Sequence, residues 1–130
     1  MIHETRKIMG LPDLHVVPTT VRVPVRVSHS EAVYARFRYP LTPEQAREVL
    51  RGAMGVVVQD RPEVNDYPLA LDAAGCDETF VGRVRQMPDD NRALALWIVA
   101  DNVRVGAATN AVGIARATHM FEGETTPTHV

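Results

Sequence analysis

The side chains best suited to chemistry gather in "VRVPVRVSHSEAV", residues 21–33, where two arginines lead to a histidine set between serines. Histidine alone has an ordinary pKa near neutrality, so His29 is a candidate to take up and return a proton. Arginine presents a planar fork that holds a carboxylate through two hydrogen bonds, which makes Arg22 and Arg26 candidates to grip an acidic substrate. Each has a plainer rival reading. His29 can be an ordinary helix-start residue, and Arg22 and Arg26 can be the solvated face of a strand. Spacing adds a condition. Arg22 lies seven residues before His29, at most ~23 Å in full extension, and an odd spacing puts the two on opposite faces of a straight strand. They share a site only if the chain bends around Arg26–Ser28.

The surrounding pattern predicts the elements that would position them. Val21, Val23, Val25 and Val27 alternate with Arg22, Pro24 and Arg26, which predicts a strand over 21–27 with its valine face buried. Ser28 and Glu31 have capping-box spacing and predict a helix over about 29–38. In its first turn the amide dipoles would keep His29 neutral and able to accept a proton. Thr42-Pro43-Glu44-Gln45 predicts a second helix, with cap, proline and closing glutamine, ending near Gly52.

Upstream, residues 2–9 have helical spacing that stops at Gly10 and read as the tail of a longer helix, followed by a short strand at Leu14–Val17. Downstream, Gly55–Val58 reads as a buried strand and 60–77 as a long surface loop. "TFVGRVRQM" and "ALALWIVA" flank "PDDN" as a hairpin with a four-residue loop, and a helix rich in Ala and Gly spans 103–117. Residues 119–130 read as a polar tail. The class is α+β, with a mixed, largely antiparallel sheet flanked by helices.

Composition narrows the function classes. A chain of 130 residues with 45% apolar content suits one domain with a modest core. Fourteen basic residues face sixteen acidic ones, for a net charge of −2, so no basic stripe points to nucleic acid. Thirteen of the fourteen are arginine, which suits carboxylate or phosphate recognition and is equally the mark of a compositional bias. The single cysteine, Cys76, leaves no internal disulfide framework and fits a reducing cytoplasm. No apolar run is long enough to cross a membrane. His3, His15, His119 and His129 lack metal-ligand spacing, so no metal site is expected. Cys76, in "AAGCDE", reads as an inert thiol, Trp97 as core, and the small residues of "GAATNAVGIA" as close helix packing.

Four stretches, in order, resemble the C-terminal part of the aspartate-semialdehyde dehydrogenase family. They are "ETRKIMG", "RVPV…HSEAV", "YPLALDAAGCDETFVGRVR" and "LWIVADNVRVGAATNAVGIA", together covering about residues 1–117. The resemblance implies that residues 1–118 are the C-terminal portion of a catalytic and dimerisation domain. The family interconverts L-4-aspartyl phosphate and L-aspartate 4-semialdehyde with NADP, in the amino-acid biosynthesis that leads to lysine, threonine and methionine. By position, His29 matches the family's acid/base histidine, Arg22 the arginine that grips the substrate carboxylate, and Asn102 a polar residue near the nicotinamide end of the cofactor.

Two positions depart from the family pattern. Ser28 stands where glycine usually precedes the histidine, and Val105 stands where a lysine is common. The family's cysteine nucleophile and Gly-rich cofactor loop lie in upstream regions that this sequence does not contain, and Cys76 does not match the nucleophile. The implied expectations are a chain inactive alone, a homodimer acting on a small-molecule substrate, and a complementing N-terminal dinucleotide-binding chain. The alternative is a stand-alone, non-enzymatic dimerisation or partner-binding module derived from this family.

Overall fold

The computed structural model describes residues 1–118, so the polar tail expected at 119–130 lies outside the described residues. Helix α1 (Ile2–Met9) stops where the sequence placed its end. Gly10 turns left-handed at φ 64, and the amides of Gly10 and Leu11 return to the carbonyls of Lys7 and Arg6. Helix α2 (Pro43–Arg51) opens with the full capping box. The Gln45 amide donates to Thr42 Oγ1 at 3.2 Å, and the Thr42 amide donates to Gln45 Oε1 at 3.0 Å.

Strands β1 (His29–Arg36), β2 (Val56–Val58), β3 (Thr79–Met87) and β4 (Asp90–Ala100) form one sheet in the order β1-β4-β3-β2. The β1–β4 and β4–β3 pairs are antiparallel and the β2–β3 pair is parallel. This is the mixed, largely antiparallel α+β sheet that the sequence implies. The β3–β4 hairpin is tighter than expected, because Met87 pairs with Asp90 and only Pro88 and Asp89 turn the corner. Proline at the first corner and a left-handed Asp89 (φ 61) at the second have the φ signs of a type II turn.

Helix α2 lies against the sheet face carrying Val81, Val84 and Leu94. Ala46 packs among these, and Leu41, Leu50, Val56, Leu96 and Ile98 close around them. Even spacing along β3 puts Phe80 and Val84 on one side, but a bulge between Gly82 and Arg85 breaks the parity. Arg83 turns left-handed there (φ 50), and Val84 swings into the core. The bulge amides of Arg83 and Val84 donate to the Asp60 carboxylate at 2.6 and 3.1 Å. Gly82 lies beside the Gln59 carbonyl and the Pro68 ring with no room for a Cβ. Pro68 also accepts, at its carbonyl, a 3.0 Å hydrogen bond from Trp97 Nε1.

Several local expectations are corrected. Residues 29–36 form strand β1 instead of a helix, because eight consecutive pairings with β4 outweigh one cap signal. Val33 and Ala35 are half-buried between exposed Tyr34 and Arg36, a two-residue period that competed with the capping box. Residues 21–27 are irregular, and their valine face is not buried: Val21 is 83% exposed. Among the described residues no strand lies beside them to satisfy their backbone, which a strand requires. Leu14–Val17 is likewise irregular. The expected loop at 60–77 contains a 3-10 turn (Pro62–Val64) and a four-residue helix α3 (Ala70–Ala73). The run expected as one helix over 103–117 divides into a π-helical turn (Arg104–Ala108) and helix α4 (Thr109–Ala117).

Candidate functional site

Three chain segments meet where β1 begins and β4 ends, and Ser28 is the residue that touches all of them. It is 3% exposed and takes φ 82, a left-handed backbone that glycine enters more easily than serine. Its amide donates to Asn102 Oδ1 at 2.8 Å, and its hydroxyl donates to the Ala70 carbonyl at 2.9 Å. A Ser28 capping an ensuing helix would extend its backbone and accept through its oxygen; here the backbone is reversed and the hydroxyl donates away. The chain therefore bends at Ser28, as a shared site for Arg22 and His29 required. His29 follows as the first residue of β1, exposed and opposite Ala100 of β4.

Asp101, also 3% exposed, fastens a second segment at the same place. Its Oδ2 accepts the Gly75 amide at 2.7 Å, while Oδ1 accepts the amides of Val103 and Arg104 at 2.8 and 3.2 Å. The Gly75 amide is the main force holding this carboxyl below the ordinary range. Burial works against it, and the other two amides and the Arg104 charge assist. Consecutive residues thus anchor both incoming segments: Asp101 takes the one after α3, and Asn102 takes the one before β1. The sequence reading missed Asp101. An aspartate two and three residues before the amides that open a helical run is a capping signal that could have found it.

The π-helical turn is tied down from outside. Arg104 grips Asp77 with two prongs, Nε to Oδ1 at 2.8 Å and Nη2 to Oδ2 at 2.6 Å, and Thr109 Oγ1 donates to the same Oδ1 at 2.6 Å. The Arg104 bonds, then the Thr109 hydroxyl, hold the Asp77 carboxyl down at about 2. Arg104 is therefore spent within the protein.

The structure brings the predicted residues together unevenly. One hydrogen bond joins Asn102 to the residue before His29. Arg22 lies exposed in the irregular segment, and among the described residues no hydrogen bond or ion pair joins it to another side chain or to His29. Cys76 is half-buried, with its thiol 3.4 Å from the Asp72 carbonyl. Among the described residues no cluster of His, Cys, Asp or Glu could hold a metal ion, and no helix is long and apolar enough to cross a membrane. His119 and His129 lie outside the described residues.

Comparison with known proteins gives one consistent family. The sequence pattern described as "Semialdehyde dehydrogenase, dimerisation domain" matches residues 1–105. The aspartate-semialdehyde dehydrogenase of Aquifex aeolicus is 50% identical over 115 residues, which is 88% of this chain and 34% of that protein. The Legionella pneumophila protein of the same name is 53% identical over 116 residues, 88% of this chain and 33% of its own. The crystal structure of aspartate semialdehyde dehydrogenase II from Vibrio cholerae, complexed with ASA, superposes with TM-score 0.83 at 44% identity. It covers 89% of this chain and 34% of that one. The chain spans about a third of the length of the curated relatives it matches.

Proposed function

This chain belongs to the semialdehyde dehydrogenase family through its dimerisation domain, and from that premise we propose that it is the C-terminal part of an aspartate-semialdehyde dehydrogenase. The reaction is the NADP-dependent interconversion of L-4-aspartyl phosphate and L-aspartate 4-semialdehyde, in cytoplasmic amino-acid biosynthesis that leads to lysine, threonine and methionine. Residues 1–118 contribute one face of the site and the surface through which two copies pair. The dinucleotide-binding domain and the thiol nucleophile belong to the N-terminal region of the relatives that this sequence does not span.

The observation that carries this reading is the junction at Ser28, where the segments bearing His29 and Asn102 are one hydrogen bond apart. His29, exposed at the head of a strand, can exchange a proton with the reacting centre. Arg22 has no internal carboxylate partner among the described residues, so its fork can accept the substrate's carboxylate. Asn102 uses its oxygen on the Ser28 amide, which leaves its NH2 group to donate. A donor there fits the carboxamide oxygen of a nicotinamide ring. When bound, the reduced cofactor would supply the hydride. The protein's own part is to hold ring and substrate side by side.

The test is complementation. The purified chain is mixed with a polypeptide carrying the N-terminal two thirds of a relative, and reduction of NADP is followed with aspartate semialdehyde and phosphate. Turnover by the mixture and by neither part alone supports the reading; no turnover from a stable mixed complex overturns it. A second reading, a stand-alone dimerisation or partner-binding module, draws on the exposed valines at 21, 23 and 25. It predicts a stable homodimer that gains nothing from the added domain.

A further inference from the structure

We propose that Ser28 is a positioning residue. By donating its amide to Asn102 and its hydroxyl to Ala70 from a left-handed backbone, it fixes the separation of His29 and Asn102 and ties both to α3. The proposal rests on the reading of His29 and Asn102 as the proton-transferring and cofactor-facing groups.

Backbone and residue type conflict at position 28. At φ 82 an L side chain is disfavoured and glycine is the default, yet a serine sits there with 3% of its surface exposed. A residue in such a backbone persists when its surroundings over-determine it, and two bonds from Ser28 do so. The first continues the β1–β4 ladder beyond its last backbone rung. His29 pairs with Ala100, and the Ser28 amide, one residue earlier, finds the Asn102 side-chain oxygen in place of a backbone carbonyl. The second leaves the sheet altogether and reaches the carbonyl that opens α3.

Glycine at this position would keep the turn and the first bond but could not make the second. Serine's hydroxyl adds the link to α3, and α3 leads into Gly75, which Asp101 already holds. The result is a closed circuit: Ser28 to Ala70, along the chain to Gly75, across to Asp101, through the peptide bond to Asn102, and back to Ser28. His29 is bonded covalently to one corner of that circuit and Asn102 is another. The circuit thereby restrains the two residues relative to each other.

The experiment is NMR on the full chain labelled with 15N, comparing wild type with Ser28→Ala and Ser28→Gly. Both variants should shift or split the His29 ring signals and the Asn102 side-chain amide signals together, and amide exchange at residue 28 should quicken at least about tenfold. His3 and His15, outside the circuit, serve as internal controls and should not move. His29 and Asn102 signals that superpose on wild type while thermal stability alone falls would show that Ser28 is structural only, and the proposal fails. Ser28→Gly spectra identical to wild type would assign everything to the backbone and also overturn it. If Ser28→Ala loses the Trp97 indole signal and so has unfolded, Asn102→Ala breaks the same bond from the other side. It must then disturb His29 while His3 and His15 stay unmoved; His29 signals unchanged in Asn102→Ala would overturn the proposal. These spectra report position and not turnover. An active His29→Ala in the complementation assay would therefore sink the functional reading and leave this result standing, and the converse also holds.

Discussion

Arg47 Nε donates to Asp60 Oδ2 at 2.7 Å, and the Asp60 side chain is 1% exposed. Asp60 holds the two bulge amides of β3, and Arg47 Nη2 reaches the Val84 carbonyl at 2.7 Å from the other side. This pair therefore keeps the parity switch that sends Val84 into the core. Arg47→Met should strand a buried carboxylate and cost about 3–5 kcal/mol, read as a fall in the urea midpoint. A loss under 1 kcal/mol would mean that water reaches Asp60 and the pair matters little.

Gly82→Ala should also destabilise, because the added methyl meets the Gln59 carbonyl and the Pro68 ring. Overpacking of this kind costs about 1–3 kcal/mol. Since Pro68 accepts from the Trp97 indole, the change should also shift the tryptophan emission. Unchanged stability and emission together would show that the loop at 59–68 yields freely.

Acid should weaken the region behind the site before the rest of the sheet. The Asp77 carboxyl lies at about 2 in the folded chain against an ordinary 3.8, so the unfolded state binds more protons between those values. Asp101, at the same junction, is shifted in the same direction. The Asp77 contribution is present above about pH 4 and is lost as pH falls towards 2. Asp77→Asn should flatten the acid limb of the thermal-melting profile; an unchanged limb would assign the acid loss to other carboxylates.

In the complemented enzyme, Arg22→Lys should raise KM about tenfold, the worth of one charge-assisted hydrogen bond, with kcat little changed. His29→Ala should lower kcat by about 10²–10⁴-fold. Cys76→Ser should alter neither, and the chain alone should give no turnover with or without it. Turnover from the chain alone that survives Cys76→Ser would require a different nucleophile within residues 1–130 and would contradict the proposed division of the site.

Sedimentation over a dilution series should show self-association. Val21, Val23 and Val25 are 83%, 52% and 49% exposed, and Tyr34 stands out from β1 at 58%. Apolar surface of this kind is rarely left bare in a soluble monomer, and a two-fold contact covers both copies with one patch. A sharp monomer at every concentration would contradict the proposed pairing.

Two capping boxes in one sequence show what was legible and what was not. Thr42-Pro43-Glu44-Gln45 and Ser28-His29-Ser30-Glu31 carry the same local signal, and only the first starts a helix. Pro43 fixes the first helical φ locally, and α2 has an apolar side to bury beneath the sheet. Ser28 instead lies beside β4, whose eight residues from Ala93 to Ala100 need a partner along their open side. Which segment provides that partner is a tertiary fact, invisible in any short window. The valines at 21–27 fail for the converse reason, having a strand's period and no neighbour among the described residues. Glycine and proline stops, the β3–β4 hairpin and the existence of β2 were readable because their determinants are close in sequence, whereas the parallel pairing of β2 with β3 and the exposure of Val57 were not. His29 and Arg22 stood out by residue type, whereas Asn102 was named from family resemblance alone. The clasp made by Ser28 and Asp101 escaped notice because its bonds span distant segments.

The pairing of β1 with β4 also sets an order of assembly. The β3–β4 hairpin closes through a two-residue turn, whereas His29 must find Ala100 across most of the intervening chain. Loop closure of that length is entropically unfavourable, so contacts distant in sequence form late. The hairpin with α2 is the natural nucleus, and β1 docks onto it afterwards. Ser28 and His29 arrive with β1, so completion of the sheet and completion of the site are a single event. By the same logic a chain that has shed β1 keeps its core and its α2 packing while the histidine is adrift. Amide exchange along β1 would then report directly on the fraction of molecules whose site is built at any moment.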